Sequence, residues 1–340
     1  MMPALRAGTM LSAAVLLSAG ALRPAEAYAQ ARTHAVIVVG IGGTAEYRDA
    51  FHDQAMQLRN ALIERHGVAE GDVTYLGETV DVAPEAIQER ATRDNVLATL
   101  AGVAERAAPD DRVLLILFGH GTSGSSGAAF NLPGPDITPA DVATALDAFG
   151  SQPVALVHTG SGSGAFVAPA AGPNRIVITA TRTERELNAT EFGAYFVDAL
   201  AADGADMDRD GGVSLLEAYT YARQEVARHY ESENEILTEN ALLEDDGDGE
   251  GTYEASADAG DGALAARFRL GGVATAAVPQ SDDPVLQRLY RERTEIQRRV
   301  DELRAVRGSI DEARYLEDME ALLVELALKN REIRAAGGGA

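Results

Sequence analysis

The chain has 340 residues, a formal net charge of -24, 46% hydrophobic residues, few aromatics, and neither cysteine nor tryptophan. The hydrophobic content excludes global disorder. The charge argues against non-specific nucleic-acid binding, because phosphates would be repelled, and the scarce aromatics argue against a base- or carbohydrate-stacking surface.

The N-terminus reads as a secretory signal over residues 1–31. Arg6 supplies the positive end, Ala7–Leu22 is small and apolar, and Ala25-Glu26-Ala27, Ala27-Tyr28-Ala29 and Ala29-Gln30-Ala31 are cleavage candidates. The apolar run is shorter than the roughly 20 residues that span a bilayer. An uncleaved N-terminal anchor is the competing reading. No later segment is apolar enough to span a membrane, so the mature protein is expected to be exported, periplasmic or extracellular. Without disulfides, its stability must come from its core and from any bound metal.

His34–Val39 is a β-branched apolar run before a Gly-rich turn and predicts a buried first strand. Phe51–His66 has helical spacing and ends at Gly67. Asp72–Leu76 predicts a short strand. Thr92–Ala107 predicts a helix capped by Thr92. Val113–Phe118 and Val154–His158 are apolar on both faces, as central parallel strands are, with a helix over Ala140–Phe149 between them. Arg175–Thr179 follows as a strand, and Ala189–Ala201 and Leu215–Tyr230 as helices. Alternating strands and helices predict a parallel, doubly wound sheet, with its site at the C-terminal strand ends. The main domain covers residues 32–272. Its last part, Gly247–Gly272, reads as loops with one short strand at Ala266–Leu270. Residues 273–283 read as a linker.

Residues 284–336 have a different character. Val285, Leu289, Ile296, Val300 and Leu303, then Tyr315, Met319, Leu322, Leu326 and Ile333, predict a helical hairpin or antiparallel coiled coil. Arg288, Arg291, Arg293, Arg298 and Arg299 make its first helix basic, and Glu317, Asp318, Glu320 and Glu325 make its second acidic. The hairpin serves either as a homodimer or partner-docking arm, or as a cover folded back on the main domain.

Two segments carry candidate chemistry. Phe118-Gly119-His120-Gly121 ends one strand, and Ser161-Gly162-Ser163-Gly164 follows another. A His and a hydroxyl at neighbouring strand ends can act as base and nucleophile. Gly160, Gly162 and Gly164 can offer backbone N–H groups to an oxyanion. His158 reads either as a second base or as a hydrogen-bonded strand-end histidine.

These segments resemble the His-Gly and Cys-x-Ser-Gly strand ends of legumain-like cysteine peptidases of the caspase-like clan. Tyr47-Arg48, Asn131-Leu132-Pro133 with Asp136-Ile137, and Ile176–Ala180 are similar to family segments in the same order, and the resemblance spans roughly residues 33–250. It implies a caspase/legumain-like three-layer α/β sandwich with a mostly parallel sheet. It also implies a peptide cleft in which Arg48, Gly121 and Gly162 contact a peptide or protein ligand, Arg48 facing an Asn or Asp side chain. The departures bear on activity. Ser161 stands where the family has Cys, Gly119 where it has Asp before the His, and Thr159 where it has an acidic pocket residue. Glu46 stands where it has the Asn that orients the His. A serine hydroxyl is far less acidic than a thiol. The expected function is therefore a peptide- or protein-binding pseudopeptidase. The alternatives are a hydrolase with Ser161 as nucleophile, His120 as base and Glu46 orienting it, and a scaffold that works through the hairpin.

Asp206–Glu217, D-M-D-R-D-G-G-V-S-L-L-E, matches an EF-hand loop. Asp206, Asp208, Asp210, the Gly212 carbonyl, Ser214 and Glu217 would ligate calcium, a metal suited to all-oxygen ligands. The competing reading is an acidic helix N-terminus that caps Leu215 onward. Glu244–Gly251 is also acidic and reads as a solvated turn, with Ala255 in place of the bidentate Glu. No His spacing suggests zinc.

Overall fold

The computed structural model describes residues 31–125, 127–208, 212–258, 260–271, 283–305 and 311–337. The signal segment and the linker expected at 273–283 fall outside them, Asp283 excepted.

The elements in chain order are β1 (Thr33–Val39), α1 (Ala45–Asn60), β2 (Val73–Gly77), β3 (Glu89–Arg90), α2 (Arg93–Arg106), β4 (Arg112–Phe118), β5 (Gly121–Gly124), β6 (Gly127–Phe130) and α3 (Pro139–Leu146). They continue with β7 (Val154–His158), α4 (Val167–Ala170), β8 (Arg175–Thr179), α5 (Phe192–Ala201), α6 (Leu215–Ser232), β9 (Leu242–Glu244), α7 (Pro284–Ala305) and α8 (Glu312–Ala335). Thr92 caps α2 as expected, its side chain accepting from the Asn95 N–H at 3.3 Å.

The main sheet has seven strands in the order β3-β2-β1-β4-β7-β8-β9. All neighbours are parallel except β8 and β9. The central strands alternate their side chains between two cores, as the two-residue strand period requires. Ile37, Ile116, Val157 and Ile178 face α1, α5 and α6, meeting Leu58, Phe196 and Tyr219. Val36, Leu115, Leu156 and Val177 face the other side, meeting Leu100 and Val103 of α2 and Leu146 of α3. Both faces are covered, which explains why these strands read as continuous apolar runs. The expected three-layer α/β arrangement is present.

Two local expectations are corrected. Ala266–Leu270 is irregular chain with one isolated bridge, Ser214 to Arg269, and is not a strand. The first helix begins at Ala45, capped by Thr44, six residues before the apolar spacing starts at Phe51.

The C-terminal helical pair is also present. Leu289, Tyr290 and Ile333 form one apolar cluster, and Val300, Tyr315, Met319 and Leu322 form another, so α7 and α8 run antiparallel. Arg299–Glu325 (3.1 Å) follows the expected charge pattern, while Lys329–Glu292 (2.8 Å) crosses in the opposite sense. Among the described residues no helix is long and apolar enough to cross a membrane.

Candidate functional site

The register of β4 on β7 brings the two motifs together. Leu117 pairs with His158, so the residues beyond each strand continue side by side. The backbones then touch. A Cβ at Gly160 would lie 2.0 Å from the Gly119 carbonyl oxygen, and one at Gly121 would lie 2.2 Å from that of Ser161. Only glycine fits at either position.

Ser161 is 2% exposed. Its hydroxyl accepts from the Gly121 N–H at 3.2 Å and donates to the Gly121 carbonyl at 3.4 Å. No hydrogen bond joins it to His120 among the described residues. The His120 ring instead packs edge-on against Tyr47 (4.6 Å between centroids) and Phe51 (5.1 Å). Burial holds its pKa below the ordinary histidine value, against a smaller opposing effect of the Gly42 backbone. Burial therefore favours the neutral form of the His120 ring.

Glu46, expected to orient His120, stands exposed in the first turn of α1 and is not hydrogen-bonded to the ring. The Gly42 N–H donates to the Glu78 carboxylate at 3.1 Å. Arg48 is exposed on α1 beside Tyr47 and close to the Gly42 backbone.

The three glycine N–H groups expected to face an oxyanion have partners within the chain. Gly160 donates to His158 Nδ1 (3.1 Å), Gly162 to the Glu186 carbonyl (2.8 Å) and Gly164 to Thr181 Oγ1 (3.1 Å). His158 is fully buried between Phe130 and Phe166, and burial pushes its pKa down to about 3. It is a neutral core histidine and no base. Asn131 supports the His120 side, its N–H donating to the His120 carbonyl at 3.0 Å and its side-chain oxygen accepting from Thr122 Oγ1 at 3.1 Å.

In the EF-hand-like segment the carboxylates of Asp206, Asp208 and Glu217 converge to within 4.8 Å of one another. Asp210 lies outside the described residues. Ser214 and Glu217 form a capping box at the start of α6. Glu217 accepts four bonds, from the N–H groups of Met207 (3.0 Å), Asp208 (3.3 Å) and Ser214 (2.8 Å) and from the Ser214 hydroxyl (2.8 Å). Four donors match the lone-pair capacity of a carboxylate, so bidentate ligation by Glu217 requires these bonds to rearrange. Gly212 is half-buried in the same loop.

No family model matches the chain, and no curated protein matches it. Solved structures similar to it include caspase-1 from Spodoptera frugiperda, with 12% identity, a TM-score of 0.39, and coverage of 64% of this chain and 87% of that one. Another is protein GSU0716 from Geobacter sulfurreducens, at 13% identity and a TM-score of 0.41, covering 62% and 92%. A third is a secreted C11 cysteine protease from Bacteroides thetaiotaomicron in complex with an irreversible peptide inhibitor, at 13% identity and a TM-score of 0.36, covering 59% and 60%.

Proposed function

We propose that this chain is an exported pseudopeptidase of the legumain and caspase kind, which binds a peptide or protein segment at the β4–β7 crest and does not cleave it. The Ser161 hydroxyl carries this reading. It is 2% exposed and bonded on both sides to Gly121. A serine becomes a nucleophile when a base in hydrogen-bond contact takes its proton, and His120 makes no such contact. A thiol at this position would ionise more readily, but the chain has no cysteine. The bound segment would meet the exposed guanidinium of Arg48, favouring Asn, Asp or a carboxylate there.

Peptide-library cleavage by the mature chain, with Ser161→Ala and Ser161→Cys alongside, tests this. The expected result is no turnover by the native protein or by Ser161→Ala. Turnover by the native protein that disappears in Ser161→Ala overturns the reading in favour of a serine hydrolase. Turnover by Ser161→Cys alone agrees with it, since His120 would then serve a nucleophile that ionises more easily.

Two further parts belong to this reading. Asp206, Asp208 and Glu217, with Asp210 and the Gly212 carbonyl, would hold calcium once Glu217 exchanges its capping bonds. The hairpin would act as a docking arm, because Leu316, Leu323, Val324 and Leu328 of α8 are exposed apolar side chains and such clusters mark contact surfaces.

A further inference from the structure

The loop after β9 has an unusual electrostatic arrangement. Glu244 ends β9, opposite Val177 of β8, and is fully buried. Its Oε1 accepts from the Gly247 N–H (2.7 Å) and the Gly249 N–H (3.3 Å). Its Oε2 is buried and has no hydrogen-bond partner. Asp261, 17 residues on and 7% exposed, brings its carboxylate to the same place, accepting from the Asp245 N–H at 2.9 Å. Asp246 completes the group from the exposed side. The three carboxylates offer oxygens within 4.8 Å of one another. No Lys, Arg or His among the described residues forms an ion pair with them.

Neighbouring Asp245 shows what a structural carboxylate looks like here. Its two oxygens accept from Gly262 (2.7 Å), Leu264 (2.9 Å) and Ala265 (2.7 Å). Glu244 differs in keeping one buried oxygen without a donor, on a carboxylate that stands beside those of Asp246 and Asp261. An unpaired buried carboxylate oxygen is costly. A divalent cation would complete the free oxygen and cancel the repulsion together.

We propose that Glu244, Asp246 and Asp261 form a calcium site, separate from the EF-hand-like loop, that ties the loop after β9 to the segment beginning at Asp261. The donors are all hard oxygens, two of them buried and one at the solvent edge, which suits calcium and offers nothing to zinc. The irregular loop suits calcium better than the strict octahedron of magnesium. The segment beginning at Asp261 also seats α6, through the Leu216 N–H on the Ala265 carbonyl (3.3 Å) and the Leu215 N–H on the Phe268 carbonyl (3.0 Å). An ion here would brace the start of α6 and the sheet edge at once.

The test is calorimetric titration of calcium into the chelator-treated mature chain, with Asp206→Asn/Asp208→Asn as background to silence the EF-hand-like loop. One equivalent of calcium is expected to remain in that background. Adding Asp246→Asn is expected to raise its Kd by roughly tenfold or more, and adding Glu244→Gln to abolish it. Asp246 is exposed, so its variant reports on the site even if Glu244→Gln fails to fold. Loss of all uptake in the background, or a Kd unmoved by Asp246→Asn, overturns the proposal. Magnesium binding with equal affinity overturns the assignment to calcium. None of these outcomes depends on cleavage or ligand binding at the β4–β7 crest.

Discussion

Glu239 shows how one buried carboxyl can set a pH response. It is 3% exposed and accepts from the N–H groups of Glu191 (2.9 Å) and Phe192 (3.2 Å) at the start of α5. Burial pushes its pKa up to about 7, with only partial relief from those N–H bonds. A carboxyl whose folded pKa exceeds its unfolded value binds more protons folded than unfolded between the two. Its contribution to stability is therefore greatest at low pH and falls as pH rises from about 4.5 to about 7. The predicted loss across that window is of order 3 kcal/mol, and Glu239→Gln should remove it. Urea unfolding of both proteins at about pH 5 and about pH 7.5 measures the difference. If the variant keeps the native pH slope, Glu239 is not its source. Nothing in the local sequence marks this residue, because its burial comes from elements distant in the chain. The approach of the strand ends that carry His120 and Ser161 was legible, since glycines there mark close backbone contact, while the lack of contact between the two side chains was not.

At the scale of elements, α2 and α3 are joined by one ion pair at a helix start. Arg93 Nε donates to Asp141 Oδ2 at 3.0 Å and Nη2 to Oδ1 at 2.5 Å. Asp141 also closes a capping box with Thr138. The Arg93 hydrogen bond, with the Thr138 bonds, holds the Asp141 carboxyl well below the usual carboxylate range. A depressed folded pKa means stabilisation that is present above the unfolded value, roughly 3.9, and lost as pH falls through the folded value. Asp141→Ala should cost about 1 kcal/mol at neutral pH, the value of a lost cap, and progressively less in acid. Urea midpoints of the two proteins that stay equally separated in acid would contradict this. The helices and central strands were legible because β1, β4, β7 and β8 are apolar on both faces and Thr92 precedes a helical run. The β5–β6 hairpin was not. Its residues are mostly glycine, alanine, serine and threonine, without apolar alternation.

At the scale of the molecule, the apolar residues fall into sets that do not share members. Two lie on the faces of the sheet and two lie between α7 and α8. The change of sequence character near residue 284 made this division legible. The acidic site after β9 was not legible, because Asp261 joins Glu244 only through the return of the chain. Separate cores imply separate stability. Val300, Tyr315, Met319 and Leu322 satisfy one another, so removing residues 283–340 should leave no cavity in either sheet face. A truncated chain ending at residue 282 is predicted to unfold cooperatively, with a Tm within about 4 °C of the full chain, the shift expected from about 1 kcal/mol in a domain of this size. Thermal unfolding followed by circular dichroism measures it. A much larger fall would mean that α7 and α8 cover an apolar face of the α/β domain. An unchanged Tm would leave the exposed side chains of α8 available to a partner, and loss of that partner on truncation, with the β4–β7 crest intact, would assign docking to the hairpin.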